Sequence, residues 1–129
     1  YSFGVIHHSP NPKKIISNAH SLLKPGGSIK VMVYAKNSWK HAMIQDNYDQ
    51  YEAQSGVPIA YTYSKEEIYS LFSKFKTVDI WQTHIFPYNI ESYKNYKYKK
   101  EPWFESMPDE LFAVLEKNFG WHLCISATK

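Results

Sequence analysis

Residues 1–34 read YSFGVIHHSPNPKKIISNAHSLLKPGGSIKVMVY, and this stretch decides the fold. Its opening apolar run ends in two adjacent histidines, after which Asn11 offers a helix cap with Pro12 in the first turn. Apolar residues then recur at helical spacing over 15–23, until a Pro-Gly-Gly turn stops the helix ahead of a second apolar run. A crossover helix between two strands predicts a parallel sheet.

The second half of the chain carries two further strand patterns. Ser64 and Glu67 have the spacing of a capping box at the start of an amphipathic helix, and a strand is predicted near 77–86. The closing WHLCISATK alternates apolar and polar residues, which predicts a last strand over 121–128. The chain therefore belongs to the α/β class.

Composition limits the class of protein further. The 129 residues suit one domain, and a net charge of +3 does not require a nucleic-acid partner. The single cysteine, Cys124, excludes an internal disulfide framework and a cysteine-rich zinc site. No apolar run approaches the roughly 20 residues of a membrane span. These features predict a cytoplasmic protein that uses no metal.

Several motifs together resemble one family. Two histidines follow the first strand, LKPGG stands at 23–27, YSKEEIYSLFSKF precedes the third strand, and GWHLCISATK closes the chain. The sequence resembles the class I S-adenosylmethionine-dependent methyltransferases, of the type 11 or type 12 kind, over nearly its whole length. The matching part is the C-terminal half of that domain.

The resemblance implies a Rossmann-like methyltransferase sandwich, of which this chain forms the C-terminal half only. Its sheet is expected to be mostly parallel, with strands near 1–6, 29–35 and 77–86. The last strand, 121–128, is expected to run antiparallel between the second and third of these. Residues 1–129 then form the C-terminal part of one domain.

The resemblance also implies the cofactor, S-adenosylmethionine. Ser2, Phe3 and Gly4 match the strand end that lines its methionine part. The family's glycine-rich loop and the acidic residue that holds the ribose would both precede Tyr1, and the chain has no initiator methionine. We therefore expect a partner in the missing N-terminal half of the same domain, and no activity from these residues alone.

Methyl transfer from a sulfonium needs alignment and exclusion of water more than dedicated catalytic groups. Aromatic residues without core-like periodicity gather in two segments, 36–60 and 87–107, which we interpret as insertions that cap the acceptor side. The expected acceptor is a small molecule. The candidate acceptor-binding residues are Trp39, Tyr48, Tyr51, Tyr88 and Trp103.

Three histidines are candidates for catalysis: His7, His8 and His84. For His7 and His8, three roles stay open: a hydrogen bond to backbone in the loop that ends the strand, a place in the cofactor or acceptor pocket, and metal ligation. Adjacent histidines usually point apart, and no cluster supplies a third ligand. His84, late in its strand, is the candidate to face the acceptor.

The segment YKNYKYKK, residues 93–100, interleaves tyrosines and lysines. Such a segment can stack on bases and contact phosphates, and it can equally be a solvated loop with some tyrosines packed down. A non-catalytic module that contacts RNA or an anionic surface is therefore the alternative function. The low net charge makes a nucleic-acid partner the less favoured interpretation.

Overall fold

One mixed sheet organises the chain in the computed structural model, which describes residues 1–45 and 60–129. The described residues form five strands and six helices. The strands are β1 (Ser2–Phe3), β2 (Ser28–Ala35), β3 (Thr62–Tyr63), β4 (Thr77–Thr83) and β5 (His122–Thr128). The helices are α1 (Pro12–Leu22), α2 (Trp39–Gln45), α3 (Lys65–Leu71), α4 (Ile90–Lys94), α5 (Pro102–Glu105) and α6 (Asp109–Phe119).

The strand order is β1-β2-β5-β4, and the short β3 pairs with the end of β2. β1 and β3 run parallel to β2, whereas β5 runs antiparallel to both β2 and β4. β2 and β4 are consequently parallel to each other. The predicted fold class and the central antiparallel position of the last strand are both confirmed.

Two of the strands end sooner than the sequence indicates. Gly4 has a left-handed φ of 72°, and Ile6–His8 form a 3-10 turn, so the first strand does not reach residue 6. β4 stops at Thr83 because His84 takes a φ of 66°. The predicted limits of 1–6 and 77–86 are therefore wrong at their C-terminal ends, where a change in the sign of φ breaks the ladder.

The hydrophobic core lies on one face of the sheet. Ile16 of α1, Ile68 of α3 and Phe72 directly after α3 pack on alternate residues of β2 and β5. Val33 and Leu123 at the centre of this layer are 1% exposed. On the other face Met32 is buried, but Phe3 and Trp81 keep about half of their surface exposed. The helices therefore anchor one side of the sheet.

Side-chain caps begin the helices that hold this core. The Asn11 side chain accepts a hydrogen bond from Lys14 N, and Ser38 Oγ accepts one from His41 N. Ser64 and Glu67 form both bonds of the capping box predicted for α3. Among the described helices, none combines the length and apolar character required to cross a bilayer.

Gly120 joins α6 to β5 at a point where the backbone is crowded. A Cβ added there would overlap the backbone carbonyl groups of Thr83 and Glu116. Neither carbonyl can move freely, because β4 and α6 fix them. Gly26 differs: it has a φ of 75°, and its Cβ would meet nothing within 4 Å.

We predict that Gly120→Ala lowers the free energy of unfolding by about 3 kcal/mol or more, since the new methyl group meets backbone that cannot yield. Gly26→Ala, the control, should cost only about 1 kcal/mol, the penalty for a left-handed φ. Urea denaturation of both variants measures the difference. Equal losses in the two variants would contradict this assignment.

Candidate functional site

The candidate site lies at the carboxyl edge of the parallel strands. The segments that follow β1, β2 and β4 leave the sheet at this edge, and the antiparallel β5 begins there. Tyr34 and Thr83, near the ends of β2 and β4, both pair with His122. Side chains far apart in sequence therefore meet at this edge, which is where ligands bind in open α/β sheets.

Four rings form a continuous histidine–aromatic stack, composed of His8, His7, Tyr34 and Trp121. The ring centroids of His7 and Tyr34 are 3.9 Å apart, and those of Tyr34 and Trp121 are 4.3 Å apart. The ring of His7 is tilted by 39° relative to that of Tyr34, whereas the ring of Trp121 stacks on Tyr34 at 23°, so Tyr34 contacts both. The stack links the end of β1 to the start of β5.

His7 is the most enclosed member of the stack, with 0% exposure. Neither of its ring nitrogens has a hydrogen-bond partner among residues 1–45 and 60–129. Within those residues the His7 side chain makes no bond to backbone, and the role of His7 stays a prediction. Its ring instead contacts His8, with centroids 4.1 Å apart, so these adjacent histidines do not point apart.

The pKa of His7 is lowered from 6.5 to about 4, first by burial and then by the positive charges that His8 and His122 can carry. His7 is therefore neutral at pH 7. A buried neutral imidazole with two unpartnered nitrogens costs free energy relative to an apolar ring, unless a ligand or a neighbouring group uses them. Among the described residues, the ring nitrogens of His7 and the hydroxyl of Tyr63 are the buried side-chain polar atoms without a hydrogen-bond partner.

His84 and His122 form a second contact at the same edge. Their rings stack with centroids 4.4 Å apart, and His84 is exposed. The left-handed backbone of His84 is fixed by two bonds: its carbonyl accepts from Trp121 N, and its own N–H donates to the Glu116 carboxylate. A non-glycine residue held in this region often marks a functional site.

The residues after β2 and β4 enclose a cavity of about 360 Å³, called here the aromatic cavity. It is lined by Trp39, Ala42, Met43, Phe86, Tyr88, Ile90, Glu101, Trp103 and Phe104. The structure thus brings three of the predicted acceptor-binding residues, Trp39, Tyr88 and Trp103, around one space. Tyr48 and Tyr51, the other two, lie outside the described residues.

An adjoining apolar cavity of about 420 Å³ shares four of these walls. It is lined by Asn37, Ser38, Trp39, Ala42, Ile85, Trp103, Phe104, Leu115 and Phe119. The rings of Trp39 and Trp103 meet edge to face, with centroids 5.3 Å apart, and Phe104 stacks on Trp103. The two cavities therefore lie on either side of a shared aromatic wall.

Ser2, Phe3 and Gly4, the predicted cofactor residues, form β1 and its carboxyl end. Phe3 is 52% exposed, and its ring lies 5.7 Å from that of His122. Position 4 favours glycine because its φ is positive. Space is not the reason, because a Cβ there would make only an ordinary contact with Met32. Phe3 thus contacts His122, whose ring lies 6.5 Å from that of Tyr34 in the histidine–aromatic stack.

The tyrosines of residues 93–100 are divided between packing and exposure. Tyr93 packs against Phe86 and Tyr88 beside the aromatic cavity, with its ring 4.9 Å from that of Phe86. Tyr96, at a φ of 56°, is 75% exposed. At least one aromatic residue of this segment thus supports the cavity wall.

Within residues 1–45 and 60–129, no three side chains of His, Cys, Asp or Glu come together in a way that could hold a metal ion.

Several residues of the edge were not predicted from the sequence: Tyr34, Phe104, Glu101, Trp121 and His122. Tyr34 could have been predicted from the sequence, because it is an aromatic residue with a polar hydroxyl near the end of a largely aliphatic strand. Nothing in the sequence indicated Glu101, because it lies in a stretch with charges of both signs and far along the chain from its cavity neighbour Trp39.

Comparison with known proteins identifies the fold. No family model and no curated protein sequence matches the chain. Its structure is similar to that of an S-adenosylmethionine-dependent methyltransferase from Thermotoga maritima, with a TM-score of 0.62 and 21% identity over 98% of this chain and 53% of that one. A Haloferax volcanii protein, solved in complex with the Trm112 methyltransferase activator, gives a TM-score of 0.52 and 16% identity over 97% of this chain and 50% of that one.

The chain thus has the Rossmann-like fold of the class I methyltransferases and spans about half the length of these two structures. Sequence identities of 21% and 16% show similarity of fold only. The assignment to the type 11 or type 12 methyltransferases therefore stays a prediction.

The pKa of His7 predicts how stability depends on pH. Because folding lowers this pKa, the unfolded chain binds a proton more readily, and the free energy of unfolding decreases as the pH falls from 6.5 to about 4. His7 should account for at most about 3 kcal/mol of that decrease. His7→Phe keeps an aromatic ring for the stacking. Its free energy of unfolding should not show the part of the decrease that His7 causes.

Urea denaturation at several pH values between 4 and 7 measures the effect. Ile125→Val serves as the control, because it should lower stability by about 1 kcal/mol without removing an ionisable group. Its pH profile should run parallel to that of the wild type. A His7→Phe profile that also runs parallel to the wild type would show that His7 is not held neutral by the fold.

Proposed function

We propose that the protein transfers a methyl group from S-adenosylmethionine to a small-molecule acceptor, and that the described residues supply the acceptor side of the site. The observation that carries this proposal is the aromatic cavity beside the carboxyl ends of β2 and β4, in a sheet of methyltransferase fold. Its volume and its lining suit a small organic ligand rather than a polymer.

The carboxyl end of β1 supports a role in cofactor binding. S-adenosylmethionine, when bound, supplies a methyl group on a positively charged sulfonium. The exposed ring of Phe3 offers an aromatic face that attracts such a charge. Gly4 turns the backbone away from the sheet directly after it. In this proposal Ser2, Phe3 and Gly4 contact the methionine part of the cofactor.

The remaining candidates take separate roles in the same proposal. Trp39, Tyr88 and Trp103 exclude water from the acceptor and orient it, which is the main contribution that a protein makes to an in-line displacement. His7 is neutral at pH 7, so it can accept a hydrogen bond near the reacting groups. The free cysteine and the proposed chemistry favour a cytoplasmic location.

We predict that Trp39→Ala in the natural full-length protein lowers kcat/KM for the acceptor by about tenfold or more, since a large aromatic wall is lost. The dissociation constant for S-adenosylmethionine should stay near that of the wild type. Trp81→Ala, which alters an exposed tryptophan outside the cavity, is the control and should change neither quantity. Release of S-adenosylhomocysteine with a panel of small acceptors gives the kinetics.

Equal acceptor kinetics in Trp39→Ala and the wild type would count against the proposed acceptor site. The alternative function predicts a different result: binding of RNA that weakens steeply as salt rises, with no release of S-adenosylhomocysteine.

A further inference from the structure

The aromatic cavity has one charged residue among its described lining residues, Glu101. The other walls are mainly aromatic rings and aliphatic groups. The adjoining apolar cavity has no charged residue among its described walls. The two spaces therefore differ in charge although they share Trp39 and Trp103.

The Glu101 carboxylate is fixed in place by its neighbours. Its Oε1 accepts a hydrogen bond of 2.9 Å from the Asn89 side chain, and its backbone N–H donates to Pro87 O. Asn89 itself caps α4 by accepting a bond from Ser92 N. The carboxylate is half-buried and belongs to the wall, rather than to a freely moving side chain.

Aromatic faces and a carboxylate attract the same kind of ligand group. The negative faces of Trp and Tyr rings bind ammonium groups, and the effect grows as water is excluded. Lys40 shows this contact in the same cluster: its ammonium lies 5.4 Å from the centroid of Phe86 and 5.5 Å from that of Trp121. Lys40 is not itself among the lining residues of the cavity, whereas Glu101 is, and an anionic ligand would meet repulsion from Glu101.

We propose that the aromatic cavity binds the ammonium group of a cationic small molecule, with Glu101 as its counter-ion, and that the adjoining apolar cavity takes the uncharged body of the same ligand. Trp39, Tyr88 and Trp103 supply the aromatic faces that Lys40 does not occupy. That this ligand is the methyl acceptor rests on the proposed function, whereas the charge selectivity of the cavity is an independent property.

Choline and its carbon isostere 3,3-dimethylbutan-1-ol test the charge selectivity, because they share a shape and differ in charge. Titration calorimetry with the natural full-length protein, at constant ionic strength, should show choline binding at least about tenfold more tightly than the isostere. Glu101→Gln should weaken choline binding by about tenfold or more and leave the isostere unaffected. The glutamine keeps an oxygen that can accept the Asn89 bond, so the fold is preserved.

Glu105→Gln is the matched control, since Glu105 is an exposed carboxylate on α5 that lines neither cavity. This variant should bind choline as the wild type does. Equal affinity for choline and its isostere, an equal loss in both glutamine variants, or no choline binding at all would each overturn the proposal.

Choline has no nitrogen lone pair, and its binding requires no methyl transfer, so the two proposals fail separately. Selective, Glu101-dependent choline binding without release of S-adenosylhomocysteine from any acceptor would support the cation site and contradict the proposed function. Methyl transfer to uncharged acceptors, together with unselective binding, would overturn the cation site alone.

Discussion

The pairing of β5 with two parallel strands is the interaction on which the site depends. β5 lies between β2 and β4 and pairs over its whole length with each. Because His122 is opposite Tyr34 on one side and Thr83 on the other, the ends of β2 and β4 are level with each other. The chain segments that leave these two strands therefore start side by side, and together they enclose the aromatic cavity.

Hydrogen bonds at the edge hold these departing segments together. The Gln82 side-chain amide donates to Asn37 O and to Gly120 O, so it joins the residues that follow β2 to those that precede β5. Ala35 N donates to Trp121 O, and Trp121 N donates to His84 O. A side chain in the cavity wall is thus positioned by the sheet, although it belongs to an irregular segment.

The sequence predicted the regular parts of the fold well because local chemistry determines them. The caps at Asn11 and Ser64 each involve residues within three positions along the chain. Alternation identified β5 as a strand, but its central place in the sheet came from the family resemblance, since periodicity contains no information on pairing partners.

What the sequence did not predict depends on contacts between distant residues or on a single dihedral angle. β1 and β4 were predicted too long because the left-handed backbone of Gly4 and of His84 is not visible as a break in the apolar pattern. The stacking of His7 on Tyr34 and the presence of Glu101 in a cavity with Trp39 join residues far apart in the chain. Aromatic content alone had indicated Trp39, Tyr88 and Trp103, which the structure brings together.

The charges at the carboxyl edge of the sheet affect both proposed ligands, S-adenosylmethionine and a cationic small molecule. A sulfonium and an ammonium group repel each other, and an imidazolium at the same edge of the sheet would add to that repulsion. The enclosure of His7 keeps its ring neutral at pH 7, so the Lys40 ammonium, 5.5 Å from the centroid of Trp121, is not joined by a second positive charge from His7. Glu101 adds a negative charge on the acceptor side. The buried ring of His7 costs stability, and an apolar replacement would remove the hydrogen-bond acceptor that a neutral imidazole supplies.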